Sequence, residues 1–208
     1  MNYRYIGIEG NIGAGKTTLV EKLAPLLGAR ALYEEFTENP FLPLFYEDPG
    51  RYAFAMESAF LADRYHQLRE LVVQDLFQPG VLADYSIYKS WIFARENLSG
   101  QELRLYKNLF DIIADKLPRP DIIIYLNRSL DGLRQNITNR NRSYEQKIPD
   151  SYLLNIQKSY IHFFKQVENI PVVIIDVESY DFLNKPVDLE LFRTLLSQDF
   201  RAGVNFFS

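Results

Sequence analysis

The chain has 208 residues, 47% of them apolar and 14% aromatic, and a net charge of −4. That supports one substantial core and a single domain over residues 1–208, while the acidic balance excludes a sequence-independent grip on a nucleic-acid polymer and points to small-molecule partners. The absence of cysteine excludes disulfides and thiolate chemistry, no apolar run approaches the ~20 residues of a membrane span, and the cytoplasm is the expected compartment.

The first strand is expected over residues 3–9. Directly after it, residues 10–17 complete the pattern G-x-x-x-x-G-K-[ST], and a helix-like segment follows. In that context the backbone N–H groups of the loop and of the first helical turn converge on a phosphate, which predicts a nucleoside triphosphate site. Glycines at 10, 13 and 15 let the backbone bend and approach closely, Lys16 offers a positive charge to the outer phosphates, and Thr17 offers a hydroxyl to Mg²⁺. The expected nucleotide-binding set is Gly10, Asn11, Ile12, Gly13, Ala14, Gly15, Lys16, Thr17 and Thr18.

A second strand is expected over 30–33 and a third over 80–83. The second runs into Glu34 and Glu35, and the third into Asp84. In an open parallel sheet the carboxyl ends of the strands face the ligand crevice, so Glu34 and Asp84 are expected to converge near Lys16. One can serve as general base to an acceptor hydroxyl and the other can hold Mg²⁺ through water. The plainer alternative for each is a helix cap or a surface acid.

Between these strands, Phe54, Phe60, Leu61, Leu68, Leu71 and Val72 recur near helical spacing and predict one long amphipathic helix over 51–77. A further helix is expected over 101–116, stopped by Pro118 and Pro120. Continuous apolar runs at 121–127 and 171–176 read as buried strands. The helix expected over 150–167 carries Leu153, Ile156, Tyr160 and Phe164 on one face. Strands alternating with helices imply an α/β fold, here a five-stranded parallel sheet with helices on both faces.

The polar segment around 139–147 breaks the periodicity and places Arg140 and Arg142 one residue apart, before Pro149. Such a loop is an ordinary solvated surface in isolation. Beside a phosphate loop it reads as an arginine-rich lid that surrounds a transferred phosphoryl group and excludes water.

These motifs together resemble the deoxynucleoside kinase family, the group that includes deoxycytidine, deoxyguanosine and deoxyadenosine kinases, and its bacterial branch above all. The likeness runs nearly end to end. It is carried by the phosphate loop, the stretch 34–42, Phe45 to Pro49, Tyr52 to Phe54, Phe60, Leu61 and Arg64, the segment 84–88, the lid 140–145, and residues 175–177. The resemblance implies a P-loop kinase that uses ATP and Mg²⁺ to phosphorylate a deoxynucleoside in nucleotide salvage, and it implies a homodimer. Carried over position by position, it makes Glu34 the base that takes the proton of the sugar 5′-hydroxyl, with Lys16, Arg140 and Arg142 as the other catalytic residues. It makes Thr17 and Asp84 the Mg²⁺ residues. Tyr46 and Glu145 would hold the 3′-hydroxyl, and Glu57, Arg64, Asp84 and Phe93 would complete the substrate site. The homodimer would be packed through helices, around Tyr65, Trp91 and the helix near Tyr106 and Phe110.

The chain departs from the family at four positions. Glu57 stands where a glutamine is usual; an ionised glutamate only accepts hydrogen bonds, so it either suits the two adjacent donors of guanine or pairs with Arg64 and reads no base directly, whereas a protonated one regains a donor. Tyr85 stands where an arginine is usual, Ser90 where relatives often carry an acid, and Asn136 where related lids often carry a further arginine. Losing both members of a charged pair is consistent in a way that losing one is not. Two other functions are compatible with the loop and lid: a nucleoside monophosphate kinase of the thymidylate type, which needs extra cations for its acceptor, and a nucleotide-binding regulatory subunit.

Overall fold

In the computed structural model, residues 2–35, 39–73, 80–182 and 184–207 are described. Six parallel strands form one sheet in the order β2-β3-β1-β4-β5-β6. They are β1 (Tyr5–Gly10), β2 (Arg30–Leu32), β3 (Val81–Ala83), β4 (Ile122–Asn127), β5 (Pro171–Asp176) and β6 (Gly203–Phe207). The expected count of five strands is therefore corrected to six. The missed strand, β6, lies at the sheet edge beside β5, and its GVNFF sequence lacks a continuous apolar run. It owes its strand character to pairing with β5 rather than to local pattern.

The central strands are apolar on both faces because helices cover both. On β4, Ile122, Ile124 and Leu126 pack with Ile6, Ile8 and Val173, together with Leu19 and Leu23 of α1 (Lys16–Leu27). Ile123 and Tyr125 of the same strand point the other way, onto Ile156, Tyr160 and Phe164 of α7 (Asp150–Phe164). A third cluster joins β3 to α3 (Pro49–Arg69), α4 (Tyr88–Asn97) and α5 (Gly100–Ala114). Each fully buried Ile, Leu, Val or Phe among them contributes about 1.5–3 kcal/mol.

The long helix expected over 51–77 is α3, which passes into a single 3₁₀ turn at Glu70–Val73. Its expected end at 74–77 and residues 36–38 of the family-like stretch lie outside the described residues. The remaining α-helices among the described residues are α2 (Leu42–Glu47), α6 (Leu130–Arg140) and α8 (Pro186–Leu195). Tyr106 and Phe110, expected near an intersubunit surface, are instead buried in the core, with Trp91 stacked on Phe110 at 5.9 Å. The same helix exposes Leu105, Leu109 and Ile112 on another side.

The sheet's order places the chemistry. From β1 the chain travels to β2 and β3 on one side, then crosses to β4 and β5 on the other, so the carboxyl end of β1 opens a crevice. The phosphate loop, Glu34 and Asp84 all follow strands that end at that edge.

Candidate active site

The phosphate loop turns from β1 into α1 through residues with left-handed backbone. Gly13 (φ 82°) cannot carry a side chain, since a Cβ there would lie 2.7 Å from the Leu133 carbonyl oxygen. Gly15 (φ 96°) caps α1 and sends its first N–H groups into the loop. Asn136 of α6 donates to the Gly13 carbonyl at 2.7 Å. Asn136 thus ties the loop to α6.

Lys16 Nζ folds back onto the carbonyls of Gly10 and Asn11, at 2.8 and 2.9 Å. Its ammonium is held below the usual lysine range, first by burial and then by the neighbouring charge of Lys89. Asn11 is buried, donates to the Leu153 carbonyl and accepts from the N–H of Ile12. Gly10 and Asn11 therefore frame the loop rather than line a cavity, while Ile12 to Thr18 line one or both of the two clefts described next.

Two clefts open at this edge of the sheet. One runs from the loop between α3, α4 and the lid, and is walled by Tyr46, Glu57, Phe60, Arg64, Asp84, Phe93, Glu145 and Tyr152, with Glu34 and Lys89 at its floor. The other runs along the outer side of the loop past Thr18, Arg128, Asn136 and Phe182. Gly13, Lys16, Thr17, Arg140 and Arg142 line both. The clefts therefore meet at the loop lysine and beneath the lid arginines. All the substrate residues expected from the sequence lie in the first cleft. Glu35, the neighbour of Glu34, is exposed.

At that junction the acids are held by several contacts. Thr17 Oγ1 donates to Asp84 Oδ2 at 2.6 Å, and the N–H of Glu34 donates to Asp84 Oδ1 at 2.8 Å. Burial, and then the charge of Glu34, raise the Asp84 carboxyl above its ordinary range. Arg64 donates to Glu34 Oε1 through Nε (2.9 Å) and NH2 (2.6 Å), and Lys89 donates to Oε2 at 2.5 Å. Burial alone would push the Glu34 carboxyl up; the Lys89 ammonium and the Arg64 guanidinium outweigh it and hold it at about 2.

The substituted positions find new partners. The Tyr85 hydroxyl donates to Gln67 Oε1, and Ser90 Oγ accepts from Arg64 NH1 at 2.7 Å. Glu57 is 1% exposed; its Oε1 accepts from Asn97 Nδ2 at 2.6 Å, whereas its buried Oε2 has no hydrogen-bond partner. Burial pushes this carboxyl up to about 7, against the lowering effects of Asn97 and Arg64.

In the lid, α6 ends at Asn141 in the left-handed conformation, and a 3₁₀ turn follows at Glu145–Lys147. Glu145 is 5% exposed and accepts from Arg140 through Oε2 and from Arg142 NH1 through Oε1 at 3.2 Å. Tyr46 stacks on Tyr144 with ring centroids 5.9 Å apart.

Lys89, Asn97, Phe45 and Tyr152 line or brace the first cleft and were missed from the sequence. Asn97 and Tyr152 carried no motif. Lys89 had a usable signal: it lies one residue before Ser90 and four after Tyr85, two positions at which the sequence is expected to depart from the family.

The chain is similar to known proteins in sequence and in fold. Residues 6–197 match the family described as deoxynucleoside kinase. The chain is 39% identical over 194 residues to the deoxyguanosine kinase of Bacillus subtilis (strain 168), covering 89% of this chain and 92% of the relative. It is 31% identical over 193 residues to the deoxyadenosine/deoxycytidine kinase of the same organism, covering 89% and 88%. The structure of a deoxyadenosine kinase from M. mycoides with bound dATP superposes with a TM-score of 0.81 at 26% identity, over 93% of this chain and all of that one (100%). The chain belongs to the deoxynucleoside kinase family, and is thus a phosphotransferase with an alcohol group as acceptor.

Proposed function

We propose that the protein transfers the γ-phosphoryl group of ATP to the 5′-hydroxyl of a purine deoxynucleoside, with deoxyguanosine preferred, and so serves nucleotide salvage. The observation that carries this reading is the meeting of two clefts at Gly13, Lys16, Thr17, Arg140 and Arg142, directly beside the Glu34 carboxylate. A triphosphate in the outer cleft points its terminal group at that junction, and a nucleoside in the inner cleft brings its 5′-oxygen to the other side.

Glu34 is the acceptor for the hydroxyl proton. The lid arginines balance charge spread over the transferring group, which is where phosphoryl transfer needs help. Tyr46 and Glu145 flank the sugar and keep its 5′-oxygen in line. Glu57 supports the base preference: its unpartnered Oε2 is an acceptor placed for the adjacent N–H donors of guanine. Relatives named deoxyguanosine kinase agree with that preference.

Mg²⁺ fits the residues present. Thr17 and Asp84 offer hard oxygen donors 2.6 Å apart, and no group of three or more His, Cys, Asp or Glu among the described residues could hold a metal alone. That suits a cation bound by one or two protein oxygens together with substrate phosphates, whose charge it would neutralise.

No described helix is long and apolar enough to cross a membrane. We place the protein in the cytoplasm as a homodimer, with the exposed Leu105, Leu109 and Ile112 stripe of α5 as the supporting surface.

A coupled assay of ATP consumption with the four deoxynucleosides and their monophosphates tests the reading. Turnover with deoxyguanosine above the other nucleosides is expected. Turnover with monophosphates alone would overturn it.

A further inference from the structure

We propose that Lys89 is a catalytic residue of this enzyme: its ammonium holds Glu34 against the sugar hydroxyl and donates to the oxygens between which the phosphoryl group moves. The inference rests on the reaction proposed above.

Arg64 is held at all three nitrogens, with Nε and NH2 on Glu34 and NH1 on Ser90, so its rigid guanidinium acts as a brace. The tyrosine at 85 points its hydroxyl at Gln67, and Asn136 is neutral and tied to Gly13. Lys89 differs. It lies in the first turn of α4, its side chain is 10% exposed, and its ammonium reaches Glu34 Oε2 at 2.5 Å. An ammonium has three donors, and Glu34 is the single hydrogen-bond acceptor that Lys89 has among the described residues. Phe93 lies against it at 5.6 Å from the ring centroid, an apolar backing that limits where the charge can go. The unused donors belong to a residue that lines the inner cleft, beside Glu34 and Lys16.

A lysine suits this place better than an arginine fork would. It is a compact charge on a flexible stem, able to keep one donor on Glu34 while another follows a substrate oxygen. In the reaction the 5′-oxygen forms a bond to the γ-phosphorus, and the bond from that phosphorus to the β,γ-bridging oxygen breaks. The hydroxyl proton passes to Glu34, and ADP leaves with the bond electrons. Negative charge thus moves from Glu34 onto the phosphate oxygens, and a cation between the two is favourable throughout.

The test compares Lys89→Met, which keeps length and loses charge, with Lys89→Arg, which keeps charge. Steady-state kinetics with ATP and deoxyguanosine are measured, with nucleoside affinity read by calorimetry as the check on folding. For Lys89→Met, kcat is expected to fall by about a hundredfold or more while the nucleoside Kd stays within about threefold. Lys89→Arg should recover at least about tenfold of that loss, because charge rather than packing is what was removed. A Lys89→Met enzyme within about threefold of wild-type kcat, or a loss confined to KM, overturns the proposal. So does a Lys89→Arg enzyme as slow as Lys89→Met. A wild-type enzyme inert towards every deoxynucleoside would instead sink the proposed reaction, and the role of Lys89 with it.

Discussion

Replacing Glu57 with glutamine should stabilise the ligand-free protein at alkaline pH and leave it unchanged in acid. The side chain is 1% exposed, has one hydrogen bond from Asn97, and leaves Oε2 without a partner. Burial carries its carboxyl from an ordinary 4.5 to about 7. That difference corresponds to about 3 kcal/mol in favour of the neutral form. The sign follows from proton linkage. The folded state binds this proton more tightly than the unfolded state, so the contribution is complete below pH 4.5 and is lost as pH rises through about 7. Glutamine has the same shape and can still accept from Asn97, but does not titrate. The variant's Tm should therefore match wild type near the acid end, and exceed it by about 6–12 °C on the alkaline side, since 1 kcal/mol is worth about 2–4 °C in a chain of this size. Thermal unfolding followed by circular dichroism across the range checks this. A difference in Tm that does not change with pH would refute the reasoning. The same titration bears on specificity: in wild type, the ratio of kcat/KM for deoxyguanosine over deoxyadenosine should fall as pH drops through about 7, because the protonated carboxyl gains a donor for the adenine ring nitrogen. In the glutamine variant that ratio should be flat with pH.

The remaining predictions concern the junction. Glu34→Gln should lower kcat by about a hundredfold or more with little change in nucleoside affinity, and an unchanged rate would remove Glu34 from the chemistry. Asp84→Asn should raise the Mg²⁺ concentration needed for half-maximal rate by roughly tenfold, read from a metal titration of kcat, since it discards the charge that Thr17 and the Glu34 N–H surround. Arg140→Met and Arg142→Met should each cost about tenfold to a hundredfold in kcat. Wild-type turnover in the double variant would show that the lid does not cap the reacting group.

Some of this was legible in the residues because it is local. The phosphate loop is one contiguous segment whose glycines, lysine and threonine must occur in that order and spacing, and the turn from β1 to α1 satisfies it with positive φ at Gly13 and Gly15. The strands β4 and β5 were readable for a similar reason: buried on both faces, they are continuous apolar runs. Glu34 and Asp84 could be placed because a parallel sheet brings the ends of its strands to one edge.

What the chain order conceals is which polar side chains share a partner. Lys89 meets Glu34 across 55 positions, and Asn97 meets Glu57 across 40. Both contacts depend on how α4 packs against α3 and the end of β2, and no periodicity encodes that distance. The strand β6 is the same case in the backbone: its residues pair only because β5 offers an open edge. Local chemistry thus set the phosphate loop and the buried strands β4 and β5, and long-range packing set the edge strand β6 and the charge around Glu34 and Glu57, because a buried carboxylate takes its proton affinity from whatever tertiary structure places beside it.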